Sequence, residues 1–500
     1  MSDSVPTLSQ WTGGREVPGT PDGYADVTNP ATGQVTARVP LGSAADAEAA
    51  IAAAKAAFPV WRKTSLAKRS RVLFRFRELL DARAPELAKI ITAEHGKVLA
   101  DAAAEVARGQ EVVEFACGIP HLLKGAATAN ASTDVDVTSL REPLGPVAII
   151  SPFNFPAMVP MWFFPLAIAA GNTVVLKPSE KVPTAANWLA GLWREAGLPE
   201  GVFNVLHGNK TAVDALLHSP DIEAVSFVGS TPIAQYVYET GTAHGKRVQA
   251  LGGAKNHMVV LPDADLDLVA DQAVSAGFGS AGERCMAVSV VVAVGDVADA
   301  LVPRIADRAK TLVTGDGTRS CDMGPLVTAA AKDRVSGYIA AGAEAGATLV
   351  LDGREGEFDA DGEGFFVGPT VFDRVRPDMS IYTDEIFGPV LSVVRVETVA
   401  EAVELINAGP YGNGAAIFTN DGGAARRFAA EVEAGMVGVN VPVPVPVAYH
   451  SFGGRKNSLF GDTHAHGGEG VHFFTRAKVV TTRWPGPGQG GLDLGFPQND

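Results

Sequence analysis

The sequence predicts an α/β protein in which strands and helices alternate to form two doubly wound sheets. Short apolar strands such as "GPVAIISP" and "NTVVLKP" are each followed by a helical segment between residues 143 and 252. A second alternation of the same kind runs from residue 253 to about residue 440. Because parallel strands need a crossover connection, which a helix usually supplies, this order favours parallel sheets covered by helices.

The elements follow one another in a simple order. Up to about residue 40, short strand-like pieces are separated by Gly and Pro turns. From "SAADAEAAIAAAKAAF" to "LADAAAEVARGQEVVEFAC", apolar residues recur at helical spacing and predict amphipathic helices. The uncharged stretch from Pro156 to Leu176 is long enough to cross a bilayer, but Pro160 and Pro165 interrupt it. We therefore interpret it as a core helix followed by a buried strand.

The C-terminal region departs from this alternation. "VNVPVPVPV", from Val439 to Val447, alternates Val and Pro and predicts an extended segment, not a central strand. "KVVTTRW" predicts a strand with no local partner, which we expect to pair across an oligomer interface. The final "PGPGQGG" is typical of a flexible tail.

Composition and charge limit the classes of function. The chain has 500 residues, 46% hydrophobic and 19% charged, enough apolar material for more than one core. A net charge of −15 argues against nucleic-acid and anionic-membrane surfaces, so we expect neither as a partner. The start "MSDSVPTLSQW" lacks the basic and apolar parts of a signal peptide, so we expect a cytoplasmic protein.

Cys285, in "GSAGERCMAVSVVVAV", is the candidate nucleophile. A thiol with a pKa of ~8.5 is little ionised at neutral pH, and the neighbouring Arg284 offers one positive charge. The alternative is an inert core cysteine, because free Cys is among the most buried residue types. Gly277, Gly279 and Gly282 spell G-x-G-x-x-G after a helix, not after a strand, so we interpret them as a turn that presents the thiol.

Two segments are candidates for nucleotide binding. In "SFVGSTPIAQYV", Gly229 and Ser230 open a helix, whose free N–H groups can bind a phosphate. An ordinary helix cap is the alternative. In "VVLKPSE", Lys177 and Glu180 follow a strand and can hold ribose hydroxyls. Solvated surface charges are the alternative there.

Two further polar segments have competing interpretations. Asn154 ends a strand between two aromatic residues in "SPFNFP", where its amide can donate to a developing oxyanion. A turn-forming Asn is the alternative. "HAHGGEGVH" contains His464, His466 and His472, but its context favours a surface turn, so no metal site is expected.

Seven motifs occur in one order: "SPFNFP", "LKPSE", "SFVGST", "LGGAKN", "GSAGERCMA", "EIFGPV" and "SFGGRKNS". Together they resemble the aldehyde dehydrogenase superfamily, and three of them are similar to its CoA-acylating methylmalonate-semialdehyde branch. The resemblance implies an aldehyde dehydrogenase-like fold with an NAD-binding domain (1–125 and 143–252) and a catalytic domain (253–448). It also implies a small oligomerisation β-arm (126–142 and 475–492) and a homo-oligomer, expected to be a tetramer built as a dimer of dimers.

The resemblance also implies roles for individual residues. Cys285 attacks the aldehyde and carries the acyl group as a thioester, while Asn154 and the Cys285 N–H form the oxyanion hole. Arg108 and Arg284 hold the carboxylate of malonate or methylmalonate semialdehyde, the expected small-molecule substrates; an ion pair of Arg108 with Glu105 or Glu111 is the alternative. The residues implied in NAD binding are Phe153, Lys177, Glu180, Gly229, Ser230, Glu385 and Phe387.

One departure from the hydrolytic members concerns release of the acyl group. Their E-L-G-G-K motif supplies a glutamate that activates water, whereas "QALGGAKN" has Ala250 at that place. The missing base favours coenzyme A as acceptor, with loss of carbon dioxide to give propionyl-CoA or acetyl-CoA. The alternatives are a hydrolytic enzyme with another base, a non-catalytic binding protein on the same fold, and a cysteine acyltransferase that does not bind NAD.

Overall fold

A computed structural model describes residues 5–487 of the chain, and most of the strands lie in two sheets. The first sheet has a parallel centre and antiparallel edges. In spatial order its strands are β2 (Arg15–Val17), β1 (Gln10–Thr12), β9 (Phe203–Val205), β8 (Thr173–Lys177), β7 (Pro146–Ile150), β10 (Ala224–Val228), β11 (Arg247–Leu251) and β21 (Leu459–Phe460). From β7 the chain adds β8 and β9 on one side and then β10 and β11 on the other, so the order reverses between β7 and β10.

The second sheet is also parallel except at one edge, where β14 runs antiparallel to β15. In spatial order its strands are β14 (Thr348–Leu351), β15 (Thr370–Asp373), β16 (Val390–Val396), β13 (Val288–Val294), β12 (Asn256–Val260), β18 (Gly414–Phe418) and β19 (Met436–Val439). The two alternations in the sequence therefore correspond to two separate sheets, which confirms the predicted fold class.

The helices connect successive strands or precede the first sheet. In chain order they are α1 (Ala44–Trp61), α2 (Leu66–His95), α3 (Leu99–Cys117), α4 (Ile119–Leu122), α5 (Met158–Ala170), α6 (Thr184–Glu195), α7 (Lys210–His218), α8 (Thr231–Ala243), α9 (Leu266–Phe278), α10 (Val297–Lys310), α11 (Ala329–Glu344), α12 (Ser380–Thr383), α13 (Val399–Ala408), α14 (Gly422–Glu431) and α15 (Gly467–Phe473). The uncharged stretch forms α5, which is buried along its whole length, and the strand β8. Within residues 5–487, no helix combines the length and apolarity needed to span a bilayer.

A separate antiparallel sheet combines β22 (Thr475–Arg483), β6 (Val135–Pro143) and β5 (Ala127–Ser132). The strand predicted from "KVVTTRW" has no partner close to it in sequence, and β22 instead pairs along its full length with β6, more than 330 residues earlier in the same chain. Two small sheets pair β3 (Gly23–Asn29) with β4 (Gln34–Leu41) and β17 (Tyr411–Gly412) with β20 (Arg455–Lys456). Residues 488–492 of the expected arm, and most of the expected tail, lie outside the described residues.

The two faces of the first sheet pack into different apolar cores. In β7, Val147 and Ile149 join the core that contains α2, α3 and α5, whereas Ala148 and Ile150 join the core that contains α1, α7 and α8. This division follows from the strand itself, because successive side chains point to opposite faces. We call these the α5 core and the α8 core.

Candidate active site

A cavity of about 860 Å³ opens at the carboxyl ends of the central strands of the first sheet. Ile150, Lys177 and Val228, the last residues of β7, β8 and β10, all line it. The order of the sheet reverses between β7 and β10, and ligands of doubly wound proteins bind in the crevice at such a reversal. Cys285 and Glu385, which flank strands of the second sheet, line the same cavity from the other side.

One half of the cavity has the groups that a dinucleotide needs. The Lys177 ammonium lies 3.1 Å from a carboxylate oxygen of Glu180. Burial lowers the pKa of Lys177, and this cost is offset in part by the Glu180 charge. Ser230 begins α8 with extended backbone geometry and makes no side-chain capping bond. Pro232 has no N–H group and the Ile233 N–H donates to the Ser230 carbonyl at 3.1 Å, so the Thr231 N–H is the group of the first turn that faces a ligand. A Cβ on Gly229 would lie 2.5 Å from the Phe227 ring, so this position needs glycine.

The other half of the cavity brings two aromatic rings and a carboxyl group close to Cys285. The rings of Phe153 and Phe387 meet edge to face with centroids 5.9 Å apart. Glu385 accepts a hydrogen bond of 2.9 Å from the N–H of Ala254, and burial raises its pKa to about 7. All the residues implied in NAD binding therefore line one cavity, and its size and donor set fit a dinucleotide.

The backbone around Cys285 is held in an unusual conformation. Ser280 and Ala281 both have positive φ, at 54° and 53°, just after α9 ends. The Cys285 carbonyl accepts hydrogen bonds from the side-chain amides of Asn256 (2.9 Å) and Asn413 (3.1 Å). The G-x-G-x-x-G segment thus lies in a tight turn that leads to the thiol, with no strand before it.

The Cys285 thiol is partly exposed and lines the cavity, unlike the fully buried cysteine of the alternative interpretation. Burial, with a smaller contribution from the Glu385 charge, raises its pKa to about 12. The backbone N–H groups of Cys285 and Met286 act in the opposite direction. Without a ligand that brings positive charge, the thiol is therefore protonated at neutral pH.

Asn154 lies at the cavity wall with its side chain anchored. Its Nδ2 donates to the Glu283 carbonyl at 3.0 Å, which ties it to the segment that carries Cys285. An amide nitrogen carries two hydrogens, so a second one remains for a ligand. The Glu283 carboxyl is itself buried 4.0 Å from His95, and burial raises its pKa to about 8.

The two arginines expected to bind a carboxylate do not line the 860 Å³ cavity. Arg284 donates to Asp101 at 2.8 Å. Arg108 contacts both carboxylate oxygens of Glu111, at 2.8 and 3.0 Å, and also donates to the Pro446 carbonyl at 3.0 Å. The ion pair with Glu111 is thus present, and each guanidinium already faces a carboxylate of its own chain.

The end of β11 has apolar side chains at both positions of "QALGGAKN" that precede the glycines. Ala250 belongs to the α8 core and pairs with Phe227, which lines the cavity. Leu251 points to the opposite face and belongs to the α5 core. Neither side chain can take a proton, so neither can act as a general base.

Sequence reasoning missed several charged residues around the cavity. Lys181 places its ammonium 4.7 Å from the centroid of the Phe153 ring, and Arg334 donates to the Ile386 carbonyl at 3.3 Å. Both line the cavity. Lys181 adjoins the "LKPSE" motif and was within reach of sequence reasoning, whereas nothing local distinguishes Arg334.

The histidine segment differs from the surface turn expected for it. His466 is 2% exposed and lies against Trp162, with ring centroids 5.8 Å apart, directly before α15. Burial lowers its pKa to about 4. In the described part of the chain, no three His, Cys, Asp or Glu side chains are grouped so that they could hold a metal ion.

This fold and this cysteine-containing cavity are those of a known enzyme class. The model of the "Aldehyde dehydrogenase family" matches residues 17–480, and the chain belongs to this family, as the motifs predicted.

Among its relatives, the malonate-semialdehyde dehydrogenase of Pseudomonas aeruginosa is 58% identical over 92% of this chain and 93% of its own length. Malonate-semialdehyde dehydrogenase 1 of Geobacillus thermodenitrificans is 52% identical over 97% of this chain and 100% of its own.

Solved structures that are similar to this chain belong to the same enzyme class. The methylmalonate-semialdehyde dehydrogenase of Oceanimonas doudoroffii is 52% identical and superposes with a TM-score of 0.95 over 97% of this chain and 99% of its own. A Sinorhizobium meliloti 1021 structure, provisionally assigned the same activity and complexed with NAD, is 50% identical. It superposes with a TM-score of 0.96 over 98% of this chain and 100% of its own.

Proposed function

We propose that this family member is an NAD-dependent, CoA-acylating dehydrogenase of malonate and methylmalonate semialdehyde. The observation that carries the proposal is the convergence of Cys285 and Asn154 on a dinucleotide-sized cavity, next to a strand end without an ionisable side chain. The activities named for the relatives from Pseudomonas aeruginosa and Oceanimonas doudoroffii support the substrate class.

In the proposed reaction, Cys285 and Asn154 share the first chemical step. Once a ligand brings positive charge to the site, the Cys285 thiol releases its proton to solvent. The thiolate sulfur then forms a bond to the aldehyde carbon, and the carbonyl oxygen takes the negative charge. The free N–H of Asn154 and the backbone N–H of Cys285 stabilise this oxyanion. When bound, NAD supplies a positively charged ring and accepts the hydride. The carbon that loses its hydride becomes the carbonyl carbon of a thioester on Cys285.

The residues that hold the cofactor are those that line the cavity. Lys177 and Glu180 hold the ribose hydroxyls at the end of β8, and the N-terminus of α8 at Ser230 binds the pyrophosphate. Phe153, Phe387 and Glu385 shape the end next to Cys285. A carboxylate beside the ribose 2′-hydroxyl disfavours a 2′-phosphate, so NAD is preferred over NADP.

The acceptor of the acyl group is inferred from the side chains at the end of β11. Water needs a base to attack a thioester, and Ala250, at the place of the motif glutamate, offers none. A thiol needs less help because its small thiolate fraction is a strong nucleophile. The sulfur of coenzyme A therefore forms the new carbon–sulfur bond, and Cys285 leaves as a thiolate. The carboxylate beta to the thioester leaves as carbon dioxide, and the carbon that carried it takes up a proton.

Two arginines are candidates for the substrate carboxylate. Arg284 adjoins the nucleophile, and Arg108 lies on α3 and donates to the 440–447 segment through the Pro446 carbonyl. A guanidinium binds a carboxylate with two parallel hydrogen bonds, and Arg108 already contacts both oxygens of Glu111. The substrate carboxylate takes the place of such an internal partner or shares the guanidinium with it.

The deciding experiment follows NADH absorbance with purified protein, NAD and methylmalonate semialdehyde, with and without coenzyme A. We expect one burst of NADH per site without coenzyme A and steady turnover with it. Mass spectrometry of the burst product identifies the acyl group on Cys285. Equal steady rates in both reactions would mean that another residue activates water, and Glu385 would be the first to test because of its raised pKa.

We also propose that the three-stranded sheet of β22, β6 and β5 joins protomers into a tetramer. Among residues 5–487, both outer strands, β5 and β22, have an unpaired edge, and unpaired edges are ready sites for strand addition. Val479 and Trp484 are 63% and 73% exposed beside this edge. Burial of such side chains between copies of the chain removes apolar surface from water.

A further inference from the structure

A buried ion pair lies directly behind Asn154. Lys97 follows Gly96, which ends α2 with a left-handed φ of 88°, and its side chain turns inward. Its ammonium lies 2.9 Å from a carboxylate oxygen of Glu105 on α3, and both side chains are 0% exposed. A buried ion pair is weak evidence for stability, because desolvation offsets the attraction between the charges. A contribution to stability therefore does not explain why this ion pair lies behind Asn154.

Both members of the pair hold the turn that carries Asn154. The Lys97 ammonium donates to the Asn154 carbonyl at 2.5 Å and lies 4.3 Å from the centroid of the Phe155 ring. The other oxygen of Glu105 accepts the N–H groups of Ala157 at 2.8 Å and Met158 at 3.1 Å. These N–H groups lie where α5 begins, so the ion pair fixes the "SPFNFP" turn at two places.

The Asn154 residue is thereby held at both ends. Its main-chain carbonyl is bound by Lys97, and its side-chain amide is bound by the Glu283 carbonyl. An oxyanion donor is effective only when it is aimed before the charge develops, since reorganisation during the reaction costs rate. A displacement of about 1 Å in a catalytic group can cost ~100-fold in rate.

We propose that Lys97 and Glu105 are positioning residues that aim the Asn154 amide at the oxyanion. The inference rests on the proposed role of Asn154 and adds two residues that lie outside the cavity lining. Lys97 acts through Asn154 alone, so its effect must disappear when the Asn154 amide is absent.

The test is a double-mutant cycle read from the rate of the NADH burst. We expect Lys97→Met to slow the burst ~100-fold in the wild-type background, as expected for a misplaced catalytic group. In the Asn154→Ala background, we expect the same change to slow it less than about 3-fold, because residues that act as a unit are not additive. Lys97→Met should change the dissociation constant of NAD by less than about 2-fold within each background, since Lys97 does not line the cavity.

Two further variants separate positioning from loss of folding. Lys97→Met with Glu105→Gln removes both charges but keeps an oxygen for the N–H groups of Ala157 and Met158, and its burst should be as slow as that of Lys97→Met. Lys246→Met is the matched control, because Lys246 is also buried and donates to backbone carbonyls, at Ser219 and Ile222. Its burst rate should stay within about 2-fold of the wild-type rate.

The cycle distinguishes failure of each proposal. If Asn154→Ala leaves the burst rate unchanged, the proposed oxyanion role of Asn154 is wrong. If Asn154→Ala slows the burst but Lys97→Met does not, or slows it equally in both backgrounds, the positioning role of Lys97 is overturned.

Discussion

A glutamate in place of Ala250 should give the enzyme turnover without coenzyme A. Ala250 pairs with Phe227, which lines the cavity, and is 0% exposed. We expect Ala250→Glu to return a general base to the position where the E-L-G-G-K motif of the hydrolytic members has its glutamate. The steady rate of NADH production without coenzyme A should therefore rise above that of the unmodified chain.

The size of the effect follows from the surroundings of that position. Burial raises the pKa of two other carboxyls near Cys285, Glu385 to about 7 and Glu283 to about 8. A carboxyl introduced at 250 in the same range would be ionised in roughly a tenth to a half of molecules at pH 7. General base catalysis contributes ~100- to 10,000-fold, so we expect a net gain of roughly 10- to 5,000-fold. The gain should grow between pH 7 and pH 9 as the carboxyl ionises.

The assay compares CoA-independent rates of Ala250→Glu and Leu251→Glu. Leu251→Glu adds the same group one residue away, on the face of β11 that belongs to the α5 core, and should give no gain. Ala250→Glu enlarges a fully buried side chain at a cost of about 1–3 kcal/mol, so its folding is checked by thermal unfolding. If Leu251→Glu gains CoA-independent turnover and Ala250→Glu does not, the position that we assign to the missing base is wrong.

Three further predictions concern substrate, thiol and assembly. Arg108→Leu should raise KM about 10- to 100-fold for methylmalonate semialdehyde, because a charged hydrogen bond to its carboxylate is worth ~1.5–3 kcal/mol. The KM for propanal, which has no carboxylate, should change little. An equal effect on both substrates would show that Arg108 does not bind the substrate. Iodoacetamide should modify Cys285 about tenfold faster per pH unit up to pH 10, since a pKa of about 12 keeps the thiol protonated below that value. Added NAD should move this rate profile to lower pH. A plateau of the rate near pH 9 without NAD would show that the pKa of the thiol is unperturbed. Val479→Asp on β22 should reduce the molar mass measured by light scattering, whereas the similarly exposed control Val60→Asp on α1 should not (63% and 68% exposed). An unchanged tetramer would place the interface elsewhere.

The parts of the site that sequence reasoning could find are those close to strand ends. Lys177 is the last residue of β8, and Gly229 directly follows β10. Apolar runs in the sequence mark where those two strands end. Since carboxyl ends of parallel strands share one edge, the sequence already indicated that these residues meet. The same reasoning explains why both sheets were predictable.

The core that each side chain of a strand joins was harder to predict than the strand. In β11, Ala250 joins the α8 core and Leu251 joins the α5 core. The sequence contained the signal, since Val248 and Ala250 share a face by the period of two. What it lacked was the identity of the core on each side of the sheet.

Long-range polar contacts were beyond sequence reasoning. Lys97 follows a helix and a glycine, which is the usual place for a solvated charge, yet its acceptor on Asn154 is 57 residues away in the sequence. His466 likewise lies in a Gly-rich segment but is buried against α5. Nothing in the local sequence of either residue reports a partner that only tertiary packing brings close.

The left-handed turn before Cys285 puts selection for stability and selection for reactivity in conflict. Ser280 and Ala281 adopt backbone angles that cost a non-glycine residue about 1–2 kcal/mol each. A Cβ on the next residue, Gly282, would lie 2.2 Å from the Gly388 carbonyl, so the turn cannot relax toward the "EIFGPV" loop. A library of variants ranked by melting temperature alone should therefore enrich glycine at 280 and 281. The same library ranked by turnover should retain non-glycine residues at 280 and 281, because a more flexible turn would hold the Cys285 sulfur less precisely.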